Sequence, residues 1–173
     1  MINSILRFGL IFILLVLFQI LLFNNIQFSG YVNPYVYILF ILLLPVETPA
    51  ALTLFLSFGI GIIIDLYSGS AGMHAFASTL AGFVRPFVLR SVSPRDGYEP
   101  GAQPSMLSYG FRWFFLYSAV ITLIHHTALF FIETFSVIDF FSTFLRTGLS
   151  AAFSLTFIMI IEFYRKLTAQ KSN

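Results

Sequence analysis

The chain contains no cysteine. That excludes disulfides, thiolate metal sites and a cysteine nucleophile, and it narrows chemistry more than location because membrane spans rarely use disulfides. Charge is the second scarcity. Asp, Glu, Lys and Arg make up 9% of the 173 residues, where a soluble domain carries about 25%. With 58% hydrophobic residues there is too little charge to coat a water-soluble globule, so an integral membrane protein follows. A spanning helix needs roughly 20 apolar residues, and this length accommodates about six of them with no room for a soluble domain. The net charge of +2 comes without any basic run interleaved with exposed aromatics, so nucleic acid is not an expected partner. No Gly-x-Ser-x-Gly elbow, Walker loop or zinc-protease helix occurs, and an enzyme is not expected.

What is present is a succession of apolar stretches: 5–23, 31–46, 50–66, 71–89, 111–132 and 140–163. The breaks carry turn-forming residues: Asn24, Asn25, Gln27 and Gly30, then Pro45 and Pro49, then 68–72, and lastly Ser136 with Asp139. The first run has no small-x-small cleavage site after it, in FNNIQFSG, and is expected to remain as a span rather than leave as a signal peptide. Only the segment at about 90–110 is long and rich in Pro, Gly and Ser, which predicts a solvated loop. With the amino terminus inside, Arg7, Arg85, Arg90, Arg95, Arg112, Arg165, Lys166 and Lys171 all fall on the cytoplasmic side and only Arg146 falls outside. Merging the third and fourth stretches would put the basic tail outside. The expected fold is therefore all-α: one polytopic domain over 1–173, a six-transmembrane-helix bundle with both termini cytoplasmic.

Helices in lipid associate through small residues. Ser57 and Gly61 in the third stretch, Ala71, Ala75, Ser78 and Gly82 in the fourth, and Gly148 with Ala152 in the sixth supply such faces, and the third and fourth are expected to form a tight hairpin. The 23 Phe residues are expected to face lipid. Phe111, Trp113, Phe114, Phe115 and Tyr117 read as an interfacial aromatic anchor.

The candidate site lies in GIGIIIDLYSGSAGMHAFASTLAGFVRP, residues 59–86. A carboxylate in a span marks a polar cavity or a partner. Asp65 is expected near the outer interface, as a cap for the amino terminus of the next helix through Ser68, Ser70 and their neighbours, as a polar contact, or as a catalytic or ion-binding group, in that order. Gly69 and Gly72 fit a turn with positive φ or a close backbone approach. His74 can meet Asp65 to form an outer polar knot. His126 shares a helix face with Thr122, Leu129 and Glu133, and Glu133 is expected to join Asp139 in an acidic outer rim. His125 and His126 point about 100° apart, and no Glu-x-x-His or second histidine four residues away accompanies them, so no metal and no cofactor is expected. Arg85 belongs with the basic ring that meets anionic head groups. Gln19, Thr53, Ser57, Ser78, Thr122 and Ser154 are scattered over different spans, too dispersed for a closed ligand cavity.

The stretch from Gly59 to Gly82, with Gly61, Asp65-Leu66, Gly69, Gly72, His74-Ala75 and Gly82, resembles the central region of the rod shape-determining protein MreD family. The resemblance extends over the whole chain in hydropathy and is specific only in this hairpin. It implies a non-enzymatic, multi-pass component of the bacterial cytoplasmic (inner) membrane within the cell-elongation machinery that makes lateral-wall peptidoglycan. The implied partners are MreC, and through it MreB, a RodA-like glycosyltransferase and a class B penicillin-binding protein, together with membrane lipids. It also implies a fold similar to the six-helix substrate-binding subunits of energy-coupling vitamin transporters. The family carries over no catalytic residues, so Gly61, Asp65, Gly69, Gly72, His74, Gly82 and Arg85, with His126 and Glu133 behind them, are candidates for structure or partner contact. The competing function is a small-solute or vitamin-binding transport subunit.

Overall fold

The computed structural model describes residues 2–25, 32–134 and 140–171, with side chains from residue 6 onward. Gln27, Gly30, Tyr31, Ser136 and Asp139 lie outside the described residues. The elements are α1 (Ile2–Leu21), a 3-10 turn (Phe23–Asn25), α2 (Ile38–Leu43), α3 (Ala50–Ser68), α4 (Met73–Ser91), α5 (Met106–Thr134) and α6 (Phe140–Lys171). Helices long and apolar enough to cross a bilayer cover Leu6–Asn25, Ala50–Ser68, Met106–Thr134 and Phe140–Lys171. Their outward faces carry Leu6, Leu10, Phe55, Phe58, Phe141 and Phe144, all exposed. An apolar surface so extensive is untenable in water, and the chain is an all-helical membrane protein. The sequence left α4 and 31–46 equal to the others, but α4 is diluted by His74, Arg85 and Arg90, and α2 has only six residues.

The departure at 31–46 has a local cause. Pro34 brings no backbone N–H and steers Asn33 away from the helical region, so the described part of the stretch, from Val32, runs as an irregular segment ending in a turn and becomes helical only at Ile38. It occupies the middle of the bundle: every residue from Pro34 to Leu44 is buried. Irregular backbone at membrane depth is tolerated only inside protein, where other groups meet its polar atoms. The two ends of the bundle are marked by Asp65 and by Arg85. Asn24, Asn33, Ser70 and Glu133 line one cleft at the Asp65 end, while Arg7, Pro45, Ser105 and Lys166 line another at the Arg85 end.

α3 and α4 pack as a close antiparallel hairpin, and two glycines set its spacing. A Cβ on Gly61 would sit 2.6 Å from the His74 carbonyl oxygen and 2.7 Å from the Ala75 nitrogen, and one on Gly82 would overlap the Ser57 hydroxyl. Backbone cannot swing aside as a side chain can. Gly61→Ala is therefore expected to destabilise by about 1–3 kcal/mol, whereas Gly59→Ala, which meets open space, leaves the thermal midpoint unchanged or slightly raised. Equal midpoints for the two variants in detergent would remove Gly61 from the hairpin's construction. In α6 the small residues expected to pack, Gly148 and Ala152, face outward. The buried stripe is Thr143, Thr147, Ser150, Ala151 and Ser154.

The segment expected as a solvated loop is shorter and folded. α4 ends at Ser91 and α5 begins at Met106, with a kink at Gly110. Tyr98 donates to the Leu89 carbonyl at 2.6 Å and its ring packs against Tyr109 and Trp113. Val46 donates its N–H to the Ala102 carbonyl, which ties the loop to the α2–α3 linker. Of the expected interfacial aromatics, Phe111 and Phe115 are exposed, Trp113 is half-buried with its indole N–H on the Val92 carbonyl, and Phe114 and Tyr117 are fully buried. Those last two belong to the core: Tyr117 meets α2 and α4 through the Leu42 carbonyl and Arg85, and Phe114 packs edge-on against the Tyr117 ring.

Candidate functional site

Asp65 lies in the last turn of α3 and is 5% exposed, so it is buried rather than solvated. Its backbone and its side chain act on different helices. The carbonyl oxygen accepts the N–H groups of Gly69 and Ser70, closing α3 with Gly69 at φ 67°, the left-handed C-terminal geometry that glycine adopts without strain. The carboxylate opens α4. Oδ1 accepts the Ser70 hydroxyl (2.5 Å), the His74 backbone N–H (3.0 Å) and His74 Nδ1 (3.1 Å), and Oδ2 accepts the Ala75 N–H (2.8 Å). The first turn of a helix has N–H groups with no partner inside the helix and a positive dipole end. Gly72, the residue before α4, has φ 85° and no side chain to cap with, so the cap comes from the neighbouring helix.

The hydrogen count fixes the His74 tautomer. Ser70 has one hydroxyl hydrogen and gives it to Asp65, so Nδ1, 2.9 Å from the Ser70 oxygen, is the donor. Nε2 is then a lone-pair acceptor when the ring is neutral, and among the described residues it has no partner. His74 is one wall of a cleft of about 480 Å³ that also meets Asn24, Asn33, Tyr35, Ser68 and Glu133. An Asp–His pair of this kind can orient an imidazole toward a hydrogen-bond donor.

His125 and His126 are both fully buried, with their rings against Tyr37 and Tyr35 of the irregular segment. His126 Nδ1 lies 2.9 Å from the Thr122 carbonyl, which can only accept, so Nδ1 carries the hydrogen and Nε2 receives the Ser154 hydroxyl at 2.9 Å. Ser154 in turn accepts the Tyr35 N–H at 2.7 Å. His125 Nε2 shares the Tyr37 hydroxyl at 2.7 Å, and Ser78 donates to the same oxygen. His126 thus serves the segment through Ser154, and it bonds the Thr122 backbone rather than Glu133 or the Thr122 hydroxyl. Glu133 forms an ion pair with Arg146 at 3.2 Å, whose guanidinium lies 4.4 Å above the Phe130 ring. Its charge is thereby paired, and the rim expected of Glu133 with Asp139 falls on a residue outside the described ones. Among those residues no group of three His, Asp or Glu is placed to hold a metal ion.

Gln19 carries a role that composition did not signal. Its Oε1 accepts the N–H groups of Val36 (2.8 Å) and Tyr37 (3.3 Å), and its Nε2 donates to the Pro34 carbonyl (3.1 Å) and to Asn24 Oδ1 (3.0 Å). Ser150 accepts the Asn33 N–H. Gln19 and Ser154, expected to be scattered, converge on one piece of backbone.

Arg85 also differs from its expected place. It is 2% exposed and does not reach head groups. Its guanidinium donates to the Leu44 and Pro45 carbonyls and, through Nε, to the Tyr117 hydroxyl at 3.0 Å, while Tyr117 donates to the Leu42 carbonyl at 3.1 Å. The Leu42 and Leu44 carbonyls belong to the end of α2, whose last oxygens lack helical partners, and a cation suits that negative dipole end. Glu162, unnoticed in the sequence, is 1% exposed; its Oε2 accepts the Met106 N–H at the start of α5 and its Oε1 pairs with Arg165. A second carboxylate within an apolar stretch was the available signal. Comparison with protein-family models, curated proteins and solved structures finds no match to this chain.

Proposed function

We propose that the protein is a non-enzymatic component of the bacterial cell-elongation machinery, a scaffold or regulator of MreC and, through it, of MreB, a RodA-like glycosyltransferase and a class B penicillin-binding protein. The supporting observation is where the buried polar side chains go. Asp65, Gln19, Ser154, Arg85 and Glu162 each bond backbone groups of this chain at helix ends or along 33–37. Side chains used in that way make a rigid body with a defined surface. A catalytic site instead turns a nucleophile and base toward a space a substrate can enter. The resemblance of 59–82 to the MreD hairpin supplies the identity of the machinery. Replacing Asp65 with Asn together with Gly72 with Leu is expected to lower membrane level and MreC co-purification and to round the cells. Wild-type behaviour in all three would overturn the hairpin's part in assembly.

Six passes through the cytoplasmic membrane with both termini inside complete the proposal. Arg7, Arg165 and Lys166 line one pocket at the Arg85 end, and Arg146 is at the other, an asymmetry that favours the Arg85 end facing the cytoplasm. Because the chain has no cysteine, single cysteines map it directly. Ala71→Cys is expected to react with an impermeant maleimide from outside, and Glu99→Cys only after permeabilisation; the reverse pattern would invert the topology. The cleft beside His74 favours a second reading, a vitamin- or small-solute-binding transport subunit, and a tight vitamin ligand on the purified protein would promote it above the first.

A further inference from the structure

We infer that the seam between α1 and α6 is a slot for one anionic phospholipid, with an acyl chain along an apolar groove and the phosphate-bearing headgroup in a basic pocket where the groove ends. α1 packs on α2 and α3, while the main neighbour of α6 is α5. Between α1 and α6 runs a groove of about 670 Å³, walled by Leu14 and Phe18 on one side and by Phe157 and Ile160 on the other, with Leu39 and Leu43 of α2 in its floor. It follows α1 from Ile11 to its end and reaches Phe23 in the 3-10 turn beyond, about 18 Å in all, long enough to hold an acyl chain, for which one leaflet provides roughly 15 Å of hydrocarbon.

In a bilayer an apolar groove alone would call for nothing more than ordinary lipid tails. Its end is what selects an occupant. Arg165 borders this groove and also a second pocket, of about 830 Å³, together with Arg7, Lys166 and Glu162. Three cations against one carboxylate leave that pocket at +2. Glu162 is already engaged by the Met106 N–H and by Arg165, and among the described ion pairs neither Arg7 nor Lys166 takes part. Hydrocarbon continuous with an unneutralised basic pocket matches a molecule with an acyl tail and a net negative headgroup. A zwitterionic lipid would bring its own cation to the pocket, a free phosphate would leave the groove unused, and a partner's apolar helix would leave the charge unmet.

The test uses the full chain purified in a neutral detergent and titrated with dioleoyl phosphatidylglycerol, dioleoyl phosphatidylcholine or inorganic phosphate, reading the thermal midpoint. Phosphatidylglycerol is expected to raise the midpoint saturably at a lipid concentration at least tenfold below that needed for phosphatidylcholine, and phosphate to leave it unchanged. Arg7→Gln combined with Lys166→Gln is expected to weaken phosphatidylglycerol about 30-fold, and Ile160→Trp, which narrows the groove without altering charge, to weaken both lipids. An equal response of the wild-type protein to the two lipids would overturn the headgroup pocket. A phosphate response matching that of phosphatidylglycerol would assign a free anion instead, and an unchanged lipid response in Ile160→Trp would overturn the groove. If the charge variant does not fold, the wild-type comparison decides.

Discussion

Asp65→Asn is expected to lower the stability of the isolated protein by roughly 3 kcal/mol, through the start of α4 rather than through any lost reaction. The carboxylate presents two oxygens to four donors: the Ser70 hydroxyl, His74 Nδ1, and the backbone N–H groups of His74 and Ala75. An amide keeps one oxygen and brings an NH2 group to the other side, where a donor already points. Ser70 can rotate and His74 can change tautomer, but the two backbone donors are fixed by the helix. One of them is left facing a donor in a site that is 5% exposed, which costs about 1–3 kcal/mol, and the charge-assisted part of the remaining bonds and the favourable dipole interaction are lost as well. For a chain of this size the midpoint should fall by roughly 6–12 °C. The measurement separates a cap from a pure docking residue. A docking residue would lose its partner with the midpoint unchanged, and that result in detergent-purified D65N would sink the capping account. Ser70→Ala should have a much smaller effect, because it removes one half-buried donor and leaves both backbone bonds in place.

The hairpin was legible in the sequence because its determinants are local. Gly69 and Gly72 flank a turn of a few residues, Gly61 and Gly82 lie at helical spacing from other small residues, and a lone acidic side chain just before such a turn has the next helix's amino terminus within reach. The polar residues that organise the centre were visible one by one, but their partners were not. The Tyr35 N–H meets a serine 119 positions away, Met106 a glutamate 56 away and Arg85 a carbonyl 41 away. Hydropathy cannot pair them, because it assigns each stretch to a span without saying which faces meet. The same limit explains Arg85. By composition it is one basic residue among eight on the expected cytoplasmic side, and only the position of the short α2 beneath it turns it inward. Asn33-Pro34 was the one local sign that 31–46 would not be an ordinary helix, and its consequence was a demand for outside donors and acceptors.

That demand makes Gln19→Leu the variant with the largest expected effect. The backbone of 33–37 cannot satisfy itself as a helix does, and among the described residues it is Gln19 that meets the Val36 and Tyr37 N–H groups and the Pro34 carbonyl. Val36 is 1% exposed and Tyr37 fully buried, so water does not replace a lost partner without opening the bundle. Leucine fits the volume and suits an apolar helix, so hydropathy alone would rate the change as neutral or favourable. The bonding predicts the opposite: three orphaned buried groups at about 1–3 kcal/mol each, offset by roughly 1 kcal/mol from the added apolar burial, leave a net loss on the order of 2–8 kcal/mol. Gln19→Glu with the buried carboxyl protonated keeps the two acceptor bonds and has one O–H where the amide has two N–H donors for Pro34 and Asn24, so it should fall between leucine and wild type. Thermal midpoints in one detergent decide between the two views. A Q19L midpoint equal to or above wild type would mean that the central segment does not depend on α1, and the role given to Gln19 would fail. The expected result, a large loss from a polar-to-apolar change on a membrane helix, would show that this bundle is organised from its centre by hydrogen bonds to one irregular segment, with the apolar helices closing around it.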